Sequence, residues 1–270
     1  MNVTHLVSAQ RAFFRLGWLD LVGYPATFAL QQISQTVSVF IQLFVSRLVP
    51  DSPHVGNDYY TFVIIGLVVH HMLAAGLRGF GSQMDTAVQQ GRLETLLVQP
   101  IKWKLLPLGM VQFTLVTRMA TVSFMALLAA ILGARFEPAG IVPAILVVAL
   151  GFMCVLSIGI LGGAVKILTK RSDPILAIYG LVVSIFSGVL FPIDVLPGWM
   201  QPVSYTIPQT YIISAVRQLL MADSGDIAGP SMTASIVALV VLSAILYPIA
   251  FGVFARVTEL ARRLGILAGY

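Results

Sequence analysis

Charge is scarce in this 270-residue chain: Asp, Glu, Lys and Arg make up 10% of it, with 11 acidic residues against 16 basic ones. A soluble domain usually carries about 25% charged residues to keep its surface in water. With 58% hydrophobic residues and a mean hydropathy of +0.92, a soluble globular fold is excluded. Cysteine is scarcer still. The single Cys154 lies in an apolar run and has no partner for an internal disulfide, so it reads as a small buried hydrophobe.

Enzymatic signatures are missing too. No GxxxxGK[ST] loop occurs, so the chain has nothing to cradle the phosphates of ATP and is not expected to hydrolyse nucleotide by itself. The run Gly79-Phe80-Gly81-Ser82-Gln83-Met84 lacks a third glycine and follows an apolar stretch. His70 and His71 are adjacent, about 100° apart around a helix, and cannot share a metal as an i, i+4 pair can. They read as packed or hydrogen-bonded side chains, with substrate or proton handling as the alternative. No acidic pair falls within an apolar run, which removes the usual makings of a proton relay. No catalytic, metal-binding or cofactor-binding residue is therefore assigned. The N-terminus also lacks a basic start, a continuous apolar core and a small-residue cleavage site, so no cleaved leader is expected.

What the chain does have is long apolar runs, several reaching the roughly 20 residues that cross about 30 Å of hydrocarbon. The sequence predicts an all-α polytopic membrane protein of one domain, 1–270, with six spans at 25–46, 59–77, 105–132, 141–165, 174–192 and 231–256. Residues 5–20 mix Arg11, Arg15 and Asp20 with Phe13, Phe14, Leu16, Trp18 and Leu19, a pattern for an interfacial amphipathic helix. If six spans alternate, Arg11, Arg15, Arg78, Arg92, Lys102, Lys104, Lys166, Lys170, Arg171, Arg256, Arg262 and Arg263 share one side. Arg47, Arg135 and Arg217 fall on the other, and Arg118 lies within a span. The positive-inside rule then puts both termini in the cytoplasm of a cell-membrane protein. Because the basic residues spread over every cytoplasmic segment, no nucleic-acid surface is read from the net charge of +5.

Polarity inside the spans is patterned. Gln31, Gln35, Ser38, Gln42 and Ser46 occupy an arc of roughly 80° on an ideal helix. Thr114, Thr117, Arg118 and Thr121 share a face of the third span. Lipid cannot satisfy these groups, and Arg118 facing it would cost about 2.5–3.5 kcal/mol. Glutamines, backbone carbonyls, water or an anionic substrate group are its candidate partners. Two readings fit both stripes: hydrogen bonds that hold helices together, or the lining of a translocation path through Gln31, Gln35, Ser38, Gln42, Thr114, Arg118 and Thr121. Small residues at Gly159 and Gly163, and at Gly180, Ser184 and Ser187, permit close helix approach.

Two segments refuse to span. Residues 84–100, MDTAVQQGRLETLLVQP, form a polar, helix-compatible stretch between two apolar runs, with Leu93, Leu96 and Leu97 at helical spacing and Pro100 ending it. A short helix tethered at both ends can carry force from a partner outside the bilayer, or it is an ordinary interfacial loop helix. Residues 191–221 are apolar, yet Pro192, Pro197, Pro202 and Pro208 cut them into pieces too short to cross. These read as a re-entrant or interfacial pair of short helices on the outer side, anchored by Trp199 and Tyr205, with Arg217 near the far end of a helical stretch.

The order of these parts resembles the ABC-2 family of transporter permeases. GRLETLLVQPI, residues 91–101, resembles the family's G-T-L-E-x-L-L-x-x-P-I run, with Arg92 where threonine is usual and Gln89-Gln90 where an acidic-basic pair is common. LFPIDVLPGWMQPVSYTIPQTYIISAVR, residues 190–217, resembles the family's outer segment, carrying Phe191, Pro192, Pro197, Trp199, Pro202, Tyr205, Pro208 and Arg217.

The resemblance implies a membrane subunit of an exporter driven by a separate ABC ATPase, which would bind the ATP and Mg. It implies a second permease chain, as homodimer or related heterodimer, and a cytoplasmic coupling helix at 84–100. There Gln90, Gly91, Arg92, Leu93, Glu94, Leu96, Leu97 and Pro100 would meet the ATPase. The expected cargo is hydrophobic, amphipathic or lipid-like, taken from the cytoplasm or the inner leaflet. A secondary transporter without an ATPase is the competing class, but such proteins usually show internal repeats and broken helices near the midplane. No duplication of the two three-span halves is found, and the broken segment is at the outer edge.

Overall fold

Pro25 opens the first long helix, α1 (Pro25–Ser46), after Tyr24 leaves helical geometry with φ −129° and ψ 59°. Proline suits that first turn because its missing N–H has no partner there in any case. The computed structural model describes residues 11, 14, 15, 17–19, 21–48, 59–89, 106–169, 174–221 and 229–263. Among them every regular element is helical. After α1 come α2 (Tyr59–Gln89), α3 (Leu106–Ile131), α4 (Ile141–Thr169), α5 (Pro174–Phe186), α6 (Gln201–Thr206), α7 (Pro208–Leu220) and α8 (Met232–Arg263). Short 3-10 turns precede α4 at Pro138–Gly140 and α6 at Ile193–Val195.

Five of these helices, α1, α2, α3, α4 and α8, are long and apolar enough to cross a membrane. The protein is multi-pass. The expected fifth span, 174–192, requires correction: its helix stops at Phe186 after 13 residues, a rise of about 20 Å against about 30 Å of hydrocarbon. Gly188 takes φ +76°, a left-handed conformation that stops a helix and that glycine adopts without strain. The second span is corrected in the opposite sense. Its helix runs unbroken from Tyr59 to Gln89, through residues 84–89 that the sequence suggested as the start of a separate helix. Of the expected interfacial helix at 5–20, the described residues 11, 14, 15 and 17–19 are helical. The Phe14 ring meets Phe113 of α3 edge-on at 5.5 Å.

The core lies along α2 and α4, the two most enclosed spans. Phe62, Val69, Leu73 and Phe80 of α2 pack with Phe152, Leu156 and Ile160 of α4, and α8 adds Phe251 and Phe254. A smaller cluster, Val39, Ile64, Met125 and Ala129, joins α1, α2 and α3. The spacing of Gly159 and Gly163 has a structural purpose. A side chain on Gly159 would strike the carbonyls of Gly76 and Leu77, and the Phe80 ring lies over Gly163. Small residues here let α2 and α4 approach backbone to backbone.

Helix α7 wedges among α2, α4 and α8 and is buried on nearly every side from Pro208 to Arg217. The sequence left open an interfacial or a re-entrant placement. Burial from all directions favours entry into the bundle. The prolines that break the segment also start its pieces: Pro202 and Pro208 stand in the first turns of α6 and α7, and Pro192 caps the 3-10 turn.

Candidate functional site

Two polar constructions stand out inside the bundle. The first holds the broken segment in place. Arg217 on α7 is 4% exposed, and its guanidinium donates through Nη1 to the Gly188 carbonyl at 2.6 Å and through Nη2 to that of Val189 at 2.8 Å. Nε donates to the Phe62 carbonyl at 3.1 Å, and the guanidinium carbon lies 3.5 Å from the centroid of the Phe62 ring. Tyr59 Oη adds a bond to the Leu190 carbonyl at 3.1 Å. Three successive carbonyls that left the helix after Phe186 thus regain donors, as non-helical backbone at membrane depth requires. Gly66 makes room for this: a Cβ there would meet the Val189 carbonyl and Arg217 Nη2.

The second construction is a cavity of about 400 Å³ among α1, α2, α3, α5 and α7. Its polar lining is Gln35, His70, His71, Arg78, Ser82, Thr114, Arg118 and Gln209, with no acidic side chain among the described residues. From His70 to Ser82, α2 rises about 18 Å, so the cavity follows a large part of the bilayer's depth. Of its two guanidiniums, Arg118 is half-buried and Arg78 exposed, and no carboxylate lies beside them in the lining among the described residues. At the α7 end, Gln209 is 2% exposed and its Oε1 accepts from Tyr179 Oη at 2.9 Å.

The residues of the two expected stripes divide between holding and lining. Gln31, with its amide oxygen turned toward Arg118, accepts from Nη1 at 2.5 Å and Nη2 at 3.3 Å. Gln32 Nε2 donates to Thr121 Oγ1 at 2.9 Å, and Thr121 donates onward to the Thr117 carbonyl at 3.0 Å. These bonds tie α1 to α3. Gln35, Thr114 and Arg118 line the cavity, whereas Ser38 and Gln42 are partly buried but outside its lining. Gln35 is 8% exposed, and its Oε1 is buried with no hydrogen-bond partner.

Arg78, Ser82 and Gln209 were not among the expected path residues, and His70 and His71 were expected to be packed or hydrogen-bonded, with substrate or proton handling as the alternative. A signal was present: His71, Ala75, Arg78 and Ser82 recur on one face of α2 with the spacing that singled out the glutamines of α1. In the outer segment, Pro192, Pro208 and Arg217 are buried and Phe191 half-buried. Pro197, Trp199, Pro202 and Tyr205 are exposed. The expected coupling residues Gln90, Gly91, Arg92, Leu93, Glu94, Leu96, Leu97 and Pro100 lie outside the described residues.

Compared with known families, residues 11–221 match the family described as ABC-2 type transporter. No curated protein matches the chain.

Proposed function

Since this chain belongs to the ABC-2 type transporter family, the membrane component of transporters, we propose that it is the permease subunit of an ATP-driven exporter. The observation that carries this reading is the match across 11–221, which takes in all but one of the long helices and the whole outer segment. The polar cavity among the membrane helices supports it, because a permease must offer polar groups a place away from lipid.

A separate ABC ATPase would bind ATP and Mg and drive a two-state change of the bundle. Its contact is residues 84–100, with Glu94 pairing a basic group and Leu93, Leu96 and Leu97 seating in a groove or against the bundle. The unbroken α2 suits this role. A stiff helix from Tyr59 to Gln89 would carry displacement from the cytoplasmic end to Arg217 and the outer segment. Two permease chains per complex, both termini in the cytoplasm and a cell-membrane location complete the proposal. The cargo is hydrophobic, amphipathic or lipid-like and leaves the cytoplasm or inner leaflet.

Purification tests the partnership: an ABC ATPase should co-elute in stoichiometric amount with the tagged chain. Cysteines scanned through 84–100 should cross-link to that ATPase. Glu94→Arg or Leu97→Asp should weaken ATPase binding or leave hydrolysis running without transport, with membrane insertion intact. Cross-linking through another loop, and none within 84–100, would overturn the coupling assignment.

A further inference from the structure

One wall of the cavity is held far more loosely than the helices behind it. Helix α4 packs along α2 and α8, whereas α5 touches α2 and α4 at a few points. Ile178, Leu181 and Ile185 on the outer flank of α5 are exposed. Its inner flank gives Gly180 and Val183 to the cavity lining. An element with so little packed face belongs to the part of a structure that opens at low cost.

The attachments of α5 are unequal along its length. Just past its C-terminal end the chain is pinned, with the Gly188 and Val189 carbonyls on Arg217 and that of Leu190 on Tyr59. Gly188, at φ +76°, turns the backbone there without a Cβ to resist it. Pinned carbonyls beside such a turn make a pivot. Nearer the middle of α5, Tyr179 Oη donates to Gln209 Oε1 of α7 at 2.9 Å, a single neutral bond. The other neighbours there are smooth. Leu176 rests on Gly162 of α4, and Arg78 Nη2 lies against Gly180, so neither contact interlocks two branched side chains.

Helix α7, on the far side of that bond, is a fixed post. Ser214 Oγ and Gln218 Nε2 donate to the Pro230 carbonyl at 3.0 and 2.8 Å, and the Leu220 carbonyl accepts from the Glu137 N–H at 2.9 Å. The pivot and the cavity adjoin along α2, where Tyr59, Phe62, Gly66 and His70 follow one another at helical spacing. Residues 188–190 and Arg217 cover the first three, and at His70 the cavity begins.

We infer that α5 is a lid on the side of this cavity, turning about Gly188 with Arg217 as its pin and the Tyr179–Gln209 hydrogen bond as its latch. Breaking that bond frees Gly180 and Val183 to move away from α2 and opens the lining sideways. The inference deepens the transporter reading by naming the helix that closes the cavity.

The test uses the full chain in nanodiscs, without ATP and without an ATPase, in a Cys154→Ala background. Spin labels at Ile178→Cys on α5 and Val237→Cys on α8, both exposed positions, report their separation by double electron–electron resonance. With Tyr179 and Gln209 in place one distance should dominate. Tyr179→Phe, which removes one hydroxyl, should raise the share of a second distance about fivefold, the scale of one neutral hydrogen bond. Gln209→Leu should do the same, and the double variant should go no further, because both changes remove one bond. A reference pair at Val37→Cys on α1 and Val237→Cys should be unmoved.

Distances indifferent to both variants, in protein that elutes as the wild type does, would overturn the latch. So would effects that multiply in the double variant, or an equal change in the reference pair, which would mean general loosening. None of these results bears on the ATP-driven reading, because no ATPase takes part. Failure of an ATPase to co-elute leaves the lid standing in turn.

Discussion

The carbonyls of Gly188, Val189 and Leu190 take hydrogen bonds from two side chains, Arg217 and Tyr59. A guanidinium serves here because its planar fork reaches two adjacent carbonyls while Nε reaches a third on another helix. Arg217→Met would leave the Gly188 and Val189 carbonyls without their side-chain donor, at about 1–3 kcal/mol each. The expected outcome is a lower melting temperature and a smaller monodisperse peak in fluorescence-detected size exclusion. Arg217→Lys should recover part of the loss, since an ammonium supplies donors from one atom and cannot match the fork. Wild-type stability of Arg217→Met would mean that other contacts hold the segment. The sequence displayed Arg217 as a charge near the end of an apolar helical face. Its partners were illegible because backbone carbonyls 28, 29 and 155 residues away carry no side-chain signature.

At the scale of elements, α1 and the short helix α7 that carries Arg217 were legible, whereas the ends of α2 and α5 were not. Helix α1 has the expected ends, and α3 stops one residue before the expected 132, because hydrophobic runs bounded by proline or polar residues state their own limits. The run from 174 to 192 is apolar throughout, but hydropathy does not register that Ser187–Phe191 leaves the helix. Buried donors from α2 and α7 make that departure affordable. The outer segment offers a direct check on its placement. In a Cys154→Ala background, Trp199→Cys and Tyr205→Cys should react with an impermeant maleimide from the non-cytoplasmic side, since Trp199 is 72% exposed and Tyr205 40%. Ile213→Cys, buried in α7, should react far more slowly. Labelling from the cytoplasm alone would overturn the proposed orientation.

Across the whole molecule, α1, α2, α3, α5 and the inserted α7 line a polar cavity, and the sequence has no motif that could hold nucleotide phosphates. In the proposed scheme the energy comes from the separate ATPase. The purified chain should show no ATPase activity above a mock preparation, and activity should appear on adding the ATPase subunit. Sustained hydrolysis by the isolated chain, with contaminants excluded by an inactive ATPase mutant strain, would end the two-subunit proposal.

Composition and periodicity by themselves determined the solvent and the class of this protein: 58% hydrophobic residues in runs of bilayer length can only be helices in lipid. They also determined that Gln31, Gln35 and Arg118 avoid lipid, because helical spacing puts polar groups on one face whatever packs against it. The occupant of that face was decided by tertiary structure alone. Gln31 and Gln35 are one turn apart, yet Gln31 is taken up by Arg118 while Gln35 is buried with its Oε1 unpaired. That difference depends on how α1, α2 and α3 are rotated about their axes. Rotation follows from distant close contacts such as Gly159 on Gly76, which no local pattern encodes.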